Sequence, residues 1–195
     1  ARASPTRCCS PPDSSNGKLR ALFCKPTNPR IYGTRLRTSR LEAPVTRMAT
    51  AALIRETLHK AQEYGKQKQH AEDPSDLPEY DAKYEALLPV LRGELPVHFH
   101  AHRLDDIFTA QRIAREFSLN YVIVHGTQGH VAADLLAQDG VRVLSGPLLC
   151  DRSKPELRDL TPASPAKLCA AGVEAAIITD HPVIPEQYLP LCAGL

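Results

Sequence analysis

Leu95-Pro96-Val97-His98-Phe99-His100-Ala101-His102-Arg103 runs through an apolar-periodic segment, 104–117, into Asn120-Tyr121-Val122-Ile123-Val124-His125, and this strand–helix–strand stretch decides the fold. In an extended strand successive side chains point to opposite faces. Val97, Phe99 and Ala101 therefore share one face, and His98, His100 and His102 share the other. Three of the eight histidines fall in this run. A histidine row has weak strand propensity and gives up apolar burial, so it calls for an explanation beyond folding. A metal site at the end of a strand is the explanation pursued here.

The pattern repeats outward from that stretch. Leu104, Ile107, Phe108, Ala110, Ile113 and Phe117 recur at three- and four-residue steps, which predicts a helix over 104–117. Strand 120–125 is followed by a predicted helix at 129–138, with Thr127 as its cap and Gly140 past its end. Strand 141–145 follows. Ser153-Lys154-Pro155-Glu156 has the form of a capping box for a short turn. Ser164-Pro165 opens another helix, with Ser164 as its cap, and Gly172 closes it before strand 174–179. Upstream, Thr46 to Gln69 and Tyr80 to Leu91 read as helices, the second closing at Gly93, and Lys18 to Cys24 as a short strand. Nearly continuous apolar strands, each followed by a helix, mean parallel βα units covered on both faces. A barrel and a doubly wound sheet both satisfy that pattern. No GxGxxG follows a strand and no GxxxxGK[ST] occurs, so the phosphate-cradling motifs are absent.

Composition bounds the rest. With 195 residues, 43% hydrophobic content and no tryptophan, the chain suits one soluble domain with a sizeable core. No apolar run approaches the roughly 20 residues of a membrane-spanning helix. The net charge of +2 hides an asymmetry, since residues 1–40 hold nine Lys/Arg against one acid and the remainder holds fifteen against twenty-one. A basic, acid-poor N-terminus suits a transit peptide, a nucleic-acid arm or an unstructured extension, and the last is the reading adopted. Cys8, Cys9, Cys24, Cys150, Cys169 and Cys192 form no CxxC pair, as expected of reduced thiols in a cytosolic protein.

Placed on this frame, the polar residues gather at one end. His100 and His102 lie at the C-terminal end of one strand, His125 ends the next, and Asp180 ends the last, followed by His181 and Pro182. In βα barrels the C-terminal strand ends form the active-site face. Two imidazoles and a carboxylate from separate strands suit Zn²⁺ or Fe²⁺ with a position left for water. His98 sits one pleat deeper, where it contacts a ligand or is satisfied within the core. His130 starts the helix after His125.

Asn28-Pro29-Arg30-Ile31-Tyr32-Gly33, Thr46-Arg47-Met48, the run from Pro96 to Arg103, His125-Gly126-Thr127-Gln128-Gly129-His130 and Ile178-Thr179-Asp180-His181-Pro182 together resemble the amidohydrolase superfamily, and within it the imidazolonepropionase-like branch. The resemblance covers about Asn28 to Leu195. It implies an α/β fold that is a partial TIM (β/α)₈ barrel, strands four to eight with their helices. Residues 19–195 would be the C-terminal part of a metal-dependent barrel, and residues 1–18 a disordered or unrelated extension. It also implies a divalent metal, Zn or Fe, held by His100, His125 and Asp180. Asp180 and His125 would be catalytic, and His102, His130 and His181 would bind substrate. The reaction implied is hydrolysis of a C–N bond in an amide or cyclic amide by a metal-activated water. The implied partner is a small molecule in the cytoplasm, with no nucleic acid and no membrane.

The chain departs from that pattern in several places. The superfamily's first-strand His-x-His pair, strands one to three, the small β-sandwich and the last helix have no counterpart here. Thr27 of Pro26-Thr27-Asn28-Pro29 stands where close relatives carry a glutamate. A truncated chain is therefore expected. The alternative is a non-catalytic half-barrel remnant, whose exposed strand edges drive association, including homo-oligomers.

Overall fold

The computed structural model describes the backbone of Leu22 and Phe23 and residues 46–195. Most of the predicted strand from Lys18 to Cys24, the extension at 1–18 and the Asn28–Gly33 motif lie outside the described residues. The chain forms two compact units. One runs to Ala101 and resumes over Asp105–Tyr121; the other comprises His102–Leu104 and Val122–Leu195.

In the first unit, β1 (Leu22–Phe23) pairs in parallel with β2 (Val97–Ala101), Leu22 opposite His98 and Phe23 opposite Phe99. Along β2, Val97, Phe99 and Ala101 are buried while His98 and His100 are half-buried, the alternation read from the sequence. Helix α1 (Arg47–His70) starts where Thr46 Oγ1 accepts the Ala49 amide at 3.1 Å. Helix α2 (Ala82–Leu91) begins two residues later than predicted, because the Asp81 carboxylate caps the amides of Lys83 and Tyr84. Leu58, Ala61 and Tyr64 of α1 and Leu87 and Val90 of α2 are buried, and the Tyr64 hydroxyl donates to Glu85 at 2.6 Å. Each fully buried aliphatic side chain contributes roughly 1.5–3 kcal/mol. Helix α3 (Leu104–Glu116) buries Ile107, Ala110, Ile113 and Ala114, a helical stripe. After it, the Val97 amide donates to Asn120 at 2.8 Å, so the chain re-enters extended structure beside the start of β2.

The second unit is built on three parallel strands. These are β3 (Tyr121–His125, whose first residue belongs to the other unit), β4 (Arg142–Ser145) and β5 (Glu174–Ile177). Their register places His125, Ser145 and Ile177 side by side, and Val124, Leu144 and Ala176 in the row before. The expected cover on both faces is uneven: Ile123 and Val143 are buried, whereas Val124, Leu144 and Ala176 are half-buried. The helix predicted over 129–138 is instead a 3₁₀ turn, Gly129–Ala132, followed by α4 (Ala133–Gln138). Thr127 does not cap it, because its hydroxyl is engaged elsewhere. Nor does the Ser153–Glu156 capping box form; the Ser153 amide turns back to the Asp151 carboxylate instead.

Helix α5 (Ser164–Ala170) starts on Ser164 rather than after it, so its hydroxyl caps nothing and is buried without a hydrogen-bond partner. Strand β5 ends at Ile177, two residues early. The Ile178 amide still reaches Ser145 at 2.9 Å before the backbone turns left-handed at Asp180. A short helix, α6 (Leu189–Ala193), does follow, with Cys192 packed against Leu148, Ile184 and Ile177. Cys150, Cys169 and Cys192 are free thiols. Among the described residues no helix is long and apolar enough to cross a membrane.

Candidate metal centre

Strand β3 ends in an unusual backbone. His125 has φ +75° and Gly126 φ +53°, two successive left-handed residues. For a residue with a Cβ this conformation costs roughly 1–2 kcal/mol. It persists only where surrounding structure over-determines it, and such places cluster at functional sites. At Gly126 a Cβ would come within 2.7 Å of Val143 Cγ1, so the turn needs glycine on both counts. The turn carries Thr127 and Gln128 onto the segment leaving β2. The Gln128 amide donates to the His102 carbonyl at 2.9 Å, and Thr127 Oγ1 lies 2.8 Å from His102 Nδ1.

His125 is 3% exposed, and its Nδ1 lies 2.6 Å from the Gly146 carbonyl oxygen. A carbonyl only accepts, so on the neutral ring Nδ1 carries the proton and donates it, and Nε2 is the unprotonated nitrogen. Burial holds the imidazole below the ordinary histidine range; the Gly146 carbonyl and the Asp180 charge pull the other way, and Lys154 adds to the lowering. Gly146 itself has φ +147°, and a Cβ there would meet the Ile178 carbonyl oxygen at 2.0 Å. The acceptor for His125 is thus seated in a turn that only glycine fits.

The rings of His102 and His125 stack, with centroids 4.5 Å apart and planes 14° from parallel. Each offers a ring nitrogen within 4.8 Å of the other's. His100, His102 and His125 form the group of three described residues that could hold a metal ion. Imidazole nitrogens are ligands that zinc and iron accept. A ligating histidine commonly donates its other ring N–H to a backbone carbonyl, as His125 does to Gly146. The residues present therefore fit a divalent metal.

The other predicted residues are placed differently. His100 lies on β2, half-buried, in the first unit. His130 is half-buried in the 3₁₀ turn, with Nδ1 3.0 Å from the carbonyl oxygen of Thr127. Asp180 is exposed at φ +54° and outside the histidine group, although its charge is felt at His125 and at the Cys150 thiol. Burial raises that thiol's pKa. His181 is exposed. His102, read from sequence as a residue for substrate, is also part of the histidine group. Three contributors were missed: Thr127 was read as a helix cap, and Gln128 and Gly146 carried no reading. A glycine directly after strand 141–145, followed by proline, was the available signal for the last.

No family model matches the chain, and no curated protein does. Among solved structures, an amidohydrolase from Thermotoga maritima MSB8 is similar, with 45% sequence identity and a TM-score of 0.74 over 77% of this chain. The present chain spans 39% of that protein's length.

Proposed function

From the premise that this chain is similar to part of an amidohydrolase, we propose that it is the C-terminal part of a metal-dependent hydrolase cleaving the C–N bond of an amide or cyclic amide. The observation that carries the reading is the stacked His102–His125 pair, with His125 Nδ1 donating to the Gly146 carbonyl. On this reading β1 to β5 are strands four to eight of a (β/α)₈ barrel, and the histidines sit at the strand ends where such barrels carry their sites.

His100, His102 and His125 would hold a zinc or iron ion, with Asp180, three residues beyond β5, as the acid–base group. When bound, a divalent ion supplies Lewis acidity, polarising the scissile carbonyl and making water nucleophilic near neutral pH. The chain's own residues do the rest. Burial keeps His125 neutral while Gly146 orients its ring, and Thr127 orients the His102 ring. Asp180, exposed and outside the buried histidine pair, accepts the proton of the attacking water and returns it to the leaving nitrogen. His130 and His181 flank the mouth and contact a small-molecule substrate. Neither nucleic acid nor membrane enters this reading, and the compartment is the cytoplasm.

The test is metal content. Purified protein is expected to retain stoichiometric zinc or iron, and the His100→Ala, His125→Ala double variant to lose it with its circular dichroism unchanged. Wild-type protein that folds but takes up neither metal overturns the proposal. A second reading, a non-catalytic chain acting through self-association, is favoured by the half-buried row Val124, Leu144 and Ala176. Concentration-dependent oligomers that bind no metal would favour it.

A further inference from the structure

Gln128 follows Thr127 in the left-handed turn that leaves β3. Its four polar groups are all used, the backbone carbonyl by the Val131 amide at 3.0 Å. The backbone N–H donates to the His102 carbonyl at 2.9 Å, the side-chain Oε1 accepts from the Leu104 amide at 2.8 Å, and Nε2 donates to Asp159 Oδ2 at 2.7 Å. The amide orientation is decided by its partners: a backbone N–H can only face the oxygen, and a carboxylate can only face the nitrogen.

We infer that Gln128 is a positioning residue that sets the place of the His102 ring against His125. Arg103 alone separates the two backbone groups that Gln128 holds, so the chain immediately after the His102 side chain is held at two points. Thr127, the neighbour of Gln128, holds the ring itself through Oγ1. Asp159 anchors the far end of the amide from the connection between β4 and α5. Leu104 and Asp159, 55 residues apart in the chain, thus meet on one side chain. Gln128 Oε1 also takes the first amide of α3, a 13-residue helix, so a shift of Gln128 moves both that helix start and His102.

The inference rests on the metal reading only for its functional meaning, and the experiment separates the two. Gln128→Glu sets a carboxylate against Asp159, whereas the pair Gln128→Glu with Asp159→Asn restores a complementary set: the new carboxylate accepts from Leu104, and the new amide donates to it. Zinc affinity is measured by chelator competition, and the His102 imidazole resonances are followed by nuclear magnetic resonance in the metal-free protein. Gln128→Glu is expected to weaken zinc about 10–100-fold, the usual effect of disturbing a group that orients a ligand. It should also move the His102 signals out of their stacked environment, and the double variant should return both.

If Gln128→Glu fails to fold, Gln128→Met, which keeps the volume and removes both side-chain bonds, reads the same quantities. Unchanged His102 resonances in a folded Gln128 variant overturn the inference, as does a double variant that recovers nothing. Wild-type protein that binds no zinc overturns the proposed function instead, and the resonances of the metal-free protein still decide the positioning role.

Discussion

His125 and Asp180 leave their strands through the same kind of backbone, φ +75° and φ +54°, yet one is 3% exposed and the other lies open to solvent. The difference is in what surrounds the turn. Around His125, the Gly146 carbonyl takes Nδ1 and the His102 ring stacks on its face. In the Asp180 turn, Val183 N donates to Asp180 O at 2.9 Å and Ile184 N to Thr179 O at 3.3 Å. A left-handed residue by itself therefore does not mark a ligand. Packing decides which strained residue is fixed in one geometry, as a metal ligand must be. The other keeps its carboxylate exposed, which suits a group that exchanges a proton with water.

The sharpest way to break this comparison is Gly146→Ala. The added methyl would stand 2.0 Å from the Ile178 carbonyl oxygen at φ +147°. Both the clash and the forbidden backbone have to be relieved by moving the turn, and with it the acceptor for His125. A loss of about 3 kcal/mol or more is expected, from strain and overpacking together, with histidine order and metal binding lost as well. Urea denaturation measures it, and a variant as stable as the wild type would mean that the Gly146 turn is not what fixes His125.

The next effect is on pH dependence. Burial, the largest influence, holds the folded-state pKa of His125 below the ordinary value, near 6.5, that it regains on unfolding. Between those two values the unfolded chain binds a proton that the folded chain refuses, so stability rises with pH there. Metal-free protein should thus lose stability as the pH falls below about 6.5. In His125→Asn, whose side chain tolerates left-handed backbone and still donates to Gly146, that slope should flatten. Denaturation midpoints at several pH values check it, and an equal slope in the variant assigns the titration to another group.

How much of this was readable from sequence depends on the range of the interaction. β2 and α3 were read with nearly correct bounds because alternation and the 3.6-residue stripe are local: Val97, Phe99 and Ala101 are buried and Ile107, Ala110 and Ile113 line one face. The helix after β3 was misread because Thr127 had two uses open to it. A local rule sees the cap, whereas only the fold brings His102, 25 residues away, within reach of its hydroxyl. The histidine row was legible as chemistry. Its division of labour was not, since the stacking of His102 on His125 depends on a left-handed turn that a histidine in a strand pattern does not announce.

The smallest expected effect probes the open member of the comparison. Asp180→Gly removes a carboxylate that is exposed and frees the backbone from its left-handed penalty. Relief of roughly 1–2 kcal/mol of strain is offset by roughly 0.5–1 kcal/mol of glycine's extra chain entropy. Asp is among the residues that tolerate this region best, so a net stabilisation of about 0.5 kcal/mol is expected. The corresponding His125→Gly change relieves the same strain but removes a buried ring and orphans the Gly146 carbonyl, and should destabilise. Opposite signs for the two glycine variants, read from urea midpoints, are what the comparison requires. If Asp180→Gly destabilises as His125→Gly does, the Asp180 carboxylate is itself a fixed part of the packed site, and its proposed freedom to carry a proton is wrong.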